Sequence, residues 1–237
     1  VSLEALAVQV FAEIRAAAQK SGRNPVDITL VAVSKTKPIE VLLAYAGIAD
    51  REGIPVVFGE NYLQEIKEKH PRLPQGSELH MIGPLQSNKV RDSVLLCDVI
   101  ESVHSSKTIN LIAKEAARIS KKQRILLQVN IGRDPNKSGV IPEAVDEAVV
   151  QCQKLSEHLQ LEGLMTILPY DENPEASRPH FKAMTELRAG LVTRALDNSF
   201  YNNTILLSMG MSDDFHVALE EGADIIRVGT ALFGERA

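Results

Sequence analysis

Eight short runs rich in β-branched and aliphatic residues, separated by stretches of helical pattern, constrain this chain more than any other feature. The runs are ITLVAVSKT (28–36), PVVFGE (55–60), ELHMIG (78–83), CDVIES (97–102), RILLQVNI (124–131), LQLEGLMTI (159–167), TILLSMG (204–210) and DIIRVGT (224–230). Between them, SSKTINLIAKEAARIS sets Ile109, Ile112, Ala116 and Ile119 at helical spacing, and PEAVDEAVVQCQKL is opened by Pro142. Near-continuous apolar strands alternating with helices imply a parallel sheet covered by helices. Eight such units favour a closed (β/α)8 barrel of the TIM type over an open doubly wound sheet. The 237 residues suit that barrel as one α/β domain, 1–237. Few residues follow the last run, so the amphipathic segment 3–20 is expected to stand where an eighth helix would. The polar stretch 168–179 and the segment 197–203 are expected loops.

Charge and cysteine content remove several function classes. The 26 basic and 31 acidic side chains leave a net charge of -5 with no basic block, which argues against a nucleic-acid footprint. No apolar stretch is long enough to span a bilayer, and the N-terminal segment is broken by Glu4, Gln9 and Glu13, so a cytoplasmic protein without membrane attachment is expected. On that expectation the Asn202-Asn203-Thr204 sequon is unused. Cys97 and Cys152 are read as reduced core residues. The histidines lack metal-ligand spacing, and no GxGxxG or Walker pattern appears. Asp213-Asp214 is read as a helix cap.

Chemistry-bearing residues gather where strands end. In a barrel of this kind reactive groups sit at the C-terminal ends of strands, with a phosphate often held by the loops after strands seven and eight. Ser208-Met-Gly-Met-Ser212 leaves the seventh run and Gly229-Thr230 the eighth; backbone N–H groups with hydroxyls there can cradle an anion, although such turns also serve plain turn geometry. Lys35 ends the first run, where partial desolvation lowers a lysine pKa and makes a competent imine-forming amine; the alternative is a lysine that marks where the strand meets water, as Lys37 is read. Lysine and phosphate cradle together point to pyridoxal 5'-phosphate. Arg227 shares strand parity with Gly229, and a guanidinium facing the pyridine nitrogen would keep it unprotonated and the ring a weaker electron sink.

These pieces resemble the pyridoxal-phosphate-binding homeostasis proteins, which share the barrel of the alanine racemase N-terminal domain. The resemblance covers residues 27–235 and is carried by AVSKTKP (32–38), FGENYLQE (58–65), HMIGPLQSNK (80–89), VNI (129–131) followed by KSG (137–139), GLM (163–165), LSMGMSDD (207–214) and RVGTALFG (227–234). It implies Lys35 as the imine lysine, Ser208 or Ser212 with Gly229 and Thr230 as phosphate contacts, and Arg227 at the ring nitrogen. Asn61, His80, Asn130 and Met165 are carried over as pocket residues. Leu79, Gly132 and Asp134 depart from the family pattern.

The resemblance implies a non-catalytic monomer that holds pyridoxal phosphate as an imine and serves vitamin B6 and amino-acid homeostasis, releasing the cofactor to pyridoxal-phosphate-dependent apoenzymes. An amino-acid racemase is the alternative, and an interaction module a third reading. Racemisation needs acid/base groups on both faces of the cofactor. Lys35 serves one, alanine racemases take the other from a second domain that is not expected here, and Tyr62 is the one tyrosine placed to substitute.

Overall fold

The computed structural model describes residues 1–194 and 205–235. The expected loop at 197–203, with the Asn202-Asn203-Thr204 triplet, lies outside the described residues.

Eight parallel strands close into a barrel in sequence order. They are β1 (Thr29–Val33), β2 (Val57–Glu60), β3 (Glu78–Met81), β4 (Val99–Val103), β5 (Gln123–Gln128), β6 (Leu159–Met165), β7 (Leu206–Ser208) and β8 (Ile225–Val228). Closure is made by β1 against β8, with Val31 in register with Arg227. Each strand is shorter than its apolar run, and β1, β3, β5, β6, β7 and β8 stop two or three residues before the run ends, so that those residues build the loops above the ladder. Lys35 accordingly lies beyond β1, in a turn.

Around the strands run α1 (Leu3–Lys20), α2 (Ile39–Arg51), α3 (Leu63–Lys69), α4 (Val90–Leu96), α5 (Ser106–Arg118), α6 (Val145–Lys154), α7 (Arg178–Arg194), α8 (Phe215–Glu220) and α9 (Thr230–Phe233). In α1, the Ser2 side chain accepts from Ala5 N, and Ala7, Val10, Phe11, Ile14, Ala17 and Ala18 bury one face. That face packs on α2, α8 and the short α9 that follows β8, the position expected for segment 3–20. In α5, Ile109, Ile112 and Ala116 are buried as the spacing predicts, but Ile119 is 45% exposed. The helix ends at Arg118, so Ile119 rotates off the apolar face. Among the described residues no helix is long and apolar enough to cross a membrane.

The core has two layers. A large outer cluster fills the space between strands and helices. A small inner one, Val31, Val57, Val99, Leu126, Met165 and Ile225, fills part of the barrel interior. The rest of that interior is polar. Glu78, His80, Glu101, Arg124, Ser208 and Arg227 bond to one another there, where barrels of this type ordinarily carry branched apolar side chains. Cys97 and Cys152 are free and buried, and burial pushes both thiols up to about 12, so they behave as core residues.

Candidate functional site

The turn that carries Lys35 is held from three directions. Ser34 N donates to Gly59 O at 3.0 Å and Lys37 N to Ser34 O at 3.1 Å, which closes the turn around Lys35 and Thr36. Thr36 has φ 62°, a left-handed conformation that costs a β-branched residue about 1–3 kcal/mol. The carboxylate of Glu65 on α3 offsets that cost by accepting Thr36 N at 2.7 Å. Lys69, also on α3, sits buried beneath the turn and donates to Ser34 O at 2.8 Å, Glu60 Oε1 at 2.6 Å and Glu65 Oε2 at 2.6 Å. Ser34 Oγ completes this knot with a 2.7 Å bond to Glu60 Oε1.

Above the barrel mouth lies a cavity of about 280 Å³. Val33, Ile82, Ile167 and Met211 give it apolar walls, and Lys35, Asn61, Ser212, Arg227, Gly229 and Thr230 are polar or turn residues that line it. Asn61 is placed by close backbone contact: a Cβ on Gly83 would stand 2.4 Å from Asn61 O, so only glycine lets the loop after β3 lie against it. The loop after β7 turns at Gly210, whose φ is 92° and whose Cβ would collide with Ala218 at 2.5 Å. That turn brings Ser212 to the start of α9, where its Oγ accepts from Gly229 N at 3.1 Å and Ala231 N at 3.3 Å and lies 3.2 Å from Thr230 Oγ1. Backbone N–H groups and two hydroxyls thus converge on one spot at the edge of the cavity.

Arg227 reaches the cavity from below. Its Nη1 donates to Ser208 Oγ at 2.5 Å and its Nη2 to Thr166 O at 2.7 Å. Burial draws its pKa below the ordinary arginine value, and Glu101 followed by Asp214 opposes that pull.

Six of the ten site residues named from the sequence, Lys35, Asn61, Ser212, Arg227, Gly229 and Thr230, come together at the cavity. The other four lie around it. Ser208 and His80 sit beneath Arg227 in the polar interior, and Met165 belongs to the inner apolar cluster. Asn130 is occupied by its own loop, accepting Asp134 N at 3.1 Å and donating to Asp134 O at 2.8 Å. Tyr62 is 52% exposed and stands immediately before α3, outside the cavity lining. The aspartate pair differs from its reading as a cap: Asp214 precedes α8 but makes no side-chain cap, because its carboxylate is spent on Met211 N at 2.7 Å and Ser177 Oγ at 2.8 Å. It braces the Ser212 loop instead. Glu101 and the Glu60–Glu65–Lys69 group were missed by sequence reasoning, although Glu101 is the one charged residue of β4, VIESV, and Glu78 and His80 share strand parity.

A barrel with a lysine turn after its first strand and a donor cluster between its seventh and eighth is the class described as the alanine racemase N-terminal domain, whose family model matches residues 7–237. The pyridoxal phosphate homeostasis protein of Aquifex aeolicus is 39% identical over 230 residues, 96% of this chain and 96% of the relative. PipY of Synechococcus elongatus, solved with PLP bound, superposes with TM-score 0.78 at 32% identity and covers 94% of this chain and 99% of its own. An alanine racemase of Clostridium difficile, with TM-score 0.70 at 15% identity, shares the fold over 95% of this chain but only 55% of the racemase. The chain belongs to the alanine racemase N-terminal domain family and, within it, to the pyridoxal phosphate homeostasis proteins.

Proposed function

We propose that the chain binds pyridoxal 5'-phosphate in this cavity and acts as a non-catalytic holder of the cofactor in vitamin B6 and amino-acid homeostasis. The observation that carries the reading is the convergence of Lys35, Arg227 and the Ser212–Gly229 donor cluster on one cavity. The residues fit the group: an amine, an anion cradle and a cationic donor are the three contacts that an aldehyde, a phosphate and a pyridine nitrogen require. When bound, pyridoxal phosphate supplies an aldehyde that condenses with an amine, and an electron-withdrawing ring.

In this reading Lys35 is the covalent anchor. Ser212, Gly229 and Thr230 hold the phosphate through charge-assisted hydrogen bonds, and Asn61 borders the ring. Arg227 donates to the ring nitrogen and keeps protons from it, which weakens the ring as an electron sink. Ser208, His80 and Met165 act from beneath, and Asn130 shapes the loop at 130–140. The chain works as a monomer and passes its cofactor to apoenzymes that depend on it.

Two features favour holding over racemisation. A racemase needs a second acid/base group across the ring from its lysine, and Tyr62, half exposed, is outside the cavity lining. The guanidinium at the ring nitrogen opposes carbanion stabilisation as well. The test is solvent deuterium exchange at Cα of L- and D-alanine with cofactor-saturated protein. Slow loss of bound cofactor without exchange is expected, and exchange at about 1 s⁻¹ or faster, the range of ordinary enzymes, would refute the reading.

A further inference from the structure

Arg227 is one end of a column of charged side chains that crosses the barrel to its opposite mouth. Because a guanidinium only donates, the 2.5 Å bond from Arg227 Nη1 uses a lone pair of Ser208 Oγ and leaves the single Ser208 proton for Glu101 Oε2, also at 2.5 Å. Glu101 Oε1 bonds His80 Nδ1 at 2.7 Å, and His80 Nε2 faces Glu78 Oε2 at 3.4 Å. Glu78 accepts from Arg124 Nη1 at 2.8 Å, and Arg124 Nε donates to Glu162 at 2.7 Å. With His80 protonated, the signs alternate from Arg227 to Glu162.

The column has a dry end and a wet end. The side chains of Glu101, His80 and Arg227 are 0%, 3% and 3% exposed, whereas those of Glu78 and Arg124 are 42% and 36% exposed. Desolvating charges is costly, and branched apolar residues would fill the same space at less cost. Folding alone therefore does not explain the column, whereas holding Arg227 at a fixed place under a bound ligand does.

We propose that His80 and Glu101 are positioning residues for Arg227, and that grip on the anionic cofactor at the cavity is coupled through Ser208 and Glu101 to the proton on His80. The inference rests on the reading of the cavity as a pyridoxal phosphate site. The charged groups that bear on His80 are Glu78 on its own strand, Glu101 on β4, Arg124 on β5, Glu162 on β6 and Arg227 on β8. Coupling between two sites is reciprocal. An anionic ligand in the cavity that Arg227 lines favours the protonated imidazole, so affinity must fall as His80 loses its proton.

The experiment measures pyridoxal phosphate affinity from pH 7 to 10 in the wild type, His80→Gln and Ser208→Ala, and follows the His80 ring nitrogens by NMR with and without cofactor. Wild-type affinity is expected to fall about fivefold more across this range than that of His80→Gln, a coupling at the low end of those known. The His80 titration midpoint should rise on loading in the wild type and stay put in Ser208→Ala, where the link is cut. A His80 that merely stabilises the fold would titrate alike with and without cofactor. Superimposable affinity profiles overturn the proposal; should His80→Gln fail to fold, an unmoved wild-type midpoint on loading overturns it alone. A wild type that binds no pyridoxal phosphate at any pH overturns the cofactor reading itself, while binding with an unmoved midpoint refutes only the coupling.

Discussion

The ammonium of Lys37 donates to the carbonyl of Phe233 at 3.1 Å, and to those of Gly234 at 3.3 Å and Glu235 at 3.1 Å. All three of its N–H donors are thereby directed at the end of α9, and an ammonium so engaged is a clamp rather than a nucleophile. Lys37→Ala is expected to keep covalent cofactor while losing about 1–2 kcal/mol of stability, a fall in thermal midpoint of about 3–6 °C. Calorimetry beside borohydride labelling checks both. Loss of the label in a folded variant would show that Lys37 does more than clamp.

Beneath the same turn, Lys69 neutralises Glu60, a carboxylate 1% exposed. Burial raises the Glu60 pKa, and the hydrogen bonds from Lys69 and Ser34 oppose the rise. Lys69→Met removes the principal opposition and strands a buried carboxylate, so a loss of about 3–5 kcal/mol is expected near pH 8. A group with a raised folded pKa loses stability as pH rises, so the deficit should shrink toward pH 5 as Glu60 takes up its proton. Denaturant melts at the two pH values decide this, and an equal deficit at both would contradict it.

The barrel interior predicts how the ligand-free protein responds to pH. Burial opposes the charge on His80, but hydrogen bonds to Glu101 and Glu78 outweigh it and hold the imidazole up at about 9 against an ordinary 6.5. Its stabilisation is complete below about 6.5 and is lost as pH rises through about 9. Glu78 moves the other way: its hydrogen bond to His80, and then Arg124, bring it down to about 2 despite partial burial. Its smaller, solvent-screened contribution is present above about 4.5 and disappears as pH falls through about 2. The thermal midpoint should therefore be highest between those limits, and His80→Gln should flatten the alkaline decline. An unchanged alkaline limb in that variant would count against a charged His80.

The donor cluster at Ser212 predicts selectivity between vitamers. Pyridoxal without its phosphate forgoes those charge-assisted bonds, each about 1.5–3 kcal/mol, and Ser212→Ala should weaken pyridoxal phosphate while leaving pyridoxal nearly unaffected. Competition titrations read the difference. Equal affinities for the two vitamers would remove the cradle from the account.

Much of this arrangement is legible in the sequence because it repeats or is local. Eight apolar runs announce the barrel, and Lys35, Ser212, Arg227 and Gly229 follow from what strand ends do in such a fold. Parity put Arg227 on the same face as Gly229, and both line the cavity. What stayed hidden depends on pairing across strands: Glu101 meets Ser208 across a separation of 107 residues, and no local pattern encodes that contact. Asp214 misled for a similar reason, since a carboxylate before a helix looks like a cap until Ser177, 37 residues away, takes its second oxygen. Thr36 gives no hint of its left-handed backbone, because the cost is offset by Glu65 from a different helix.

The central claim is that Lys35 is the residue to which pyridoxal phosphate attaches. The most direct measurement loads the protein with the cofactor, reduces it with borohydride, and maps the modified peptide by mass spectrometry in the wild type and in Lys35→Ala. One label per chain on the peptide bearing Lys35, with none in Lys35→Ala, is the predicted result. A label on Lys37 or Lys69, or an undiminished label in Lys35→Ala, would contradict the account.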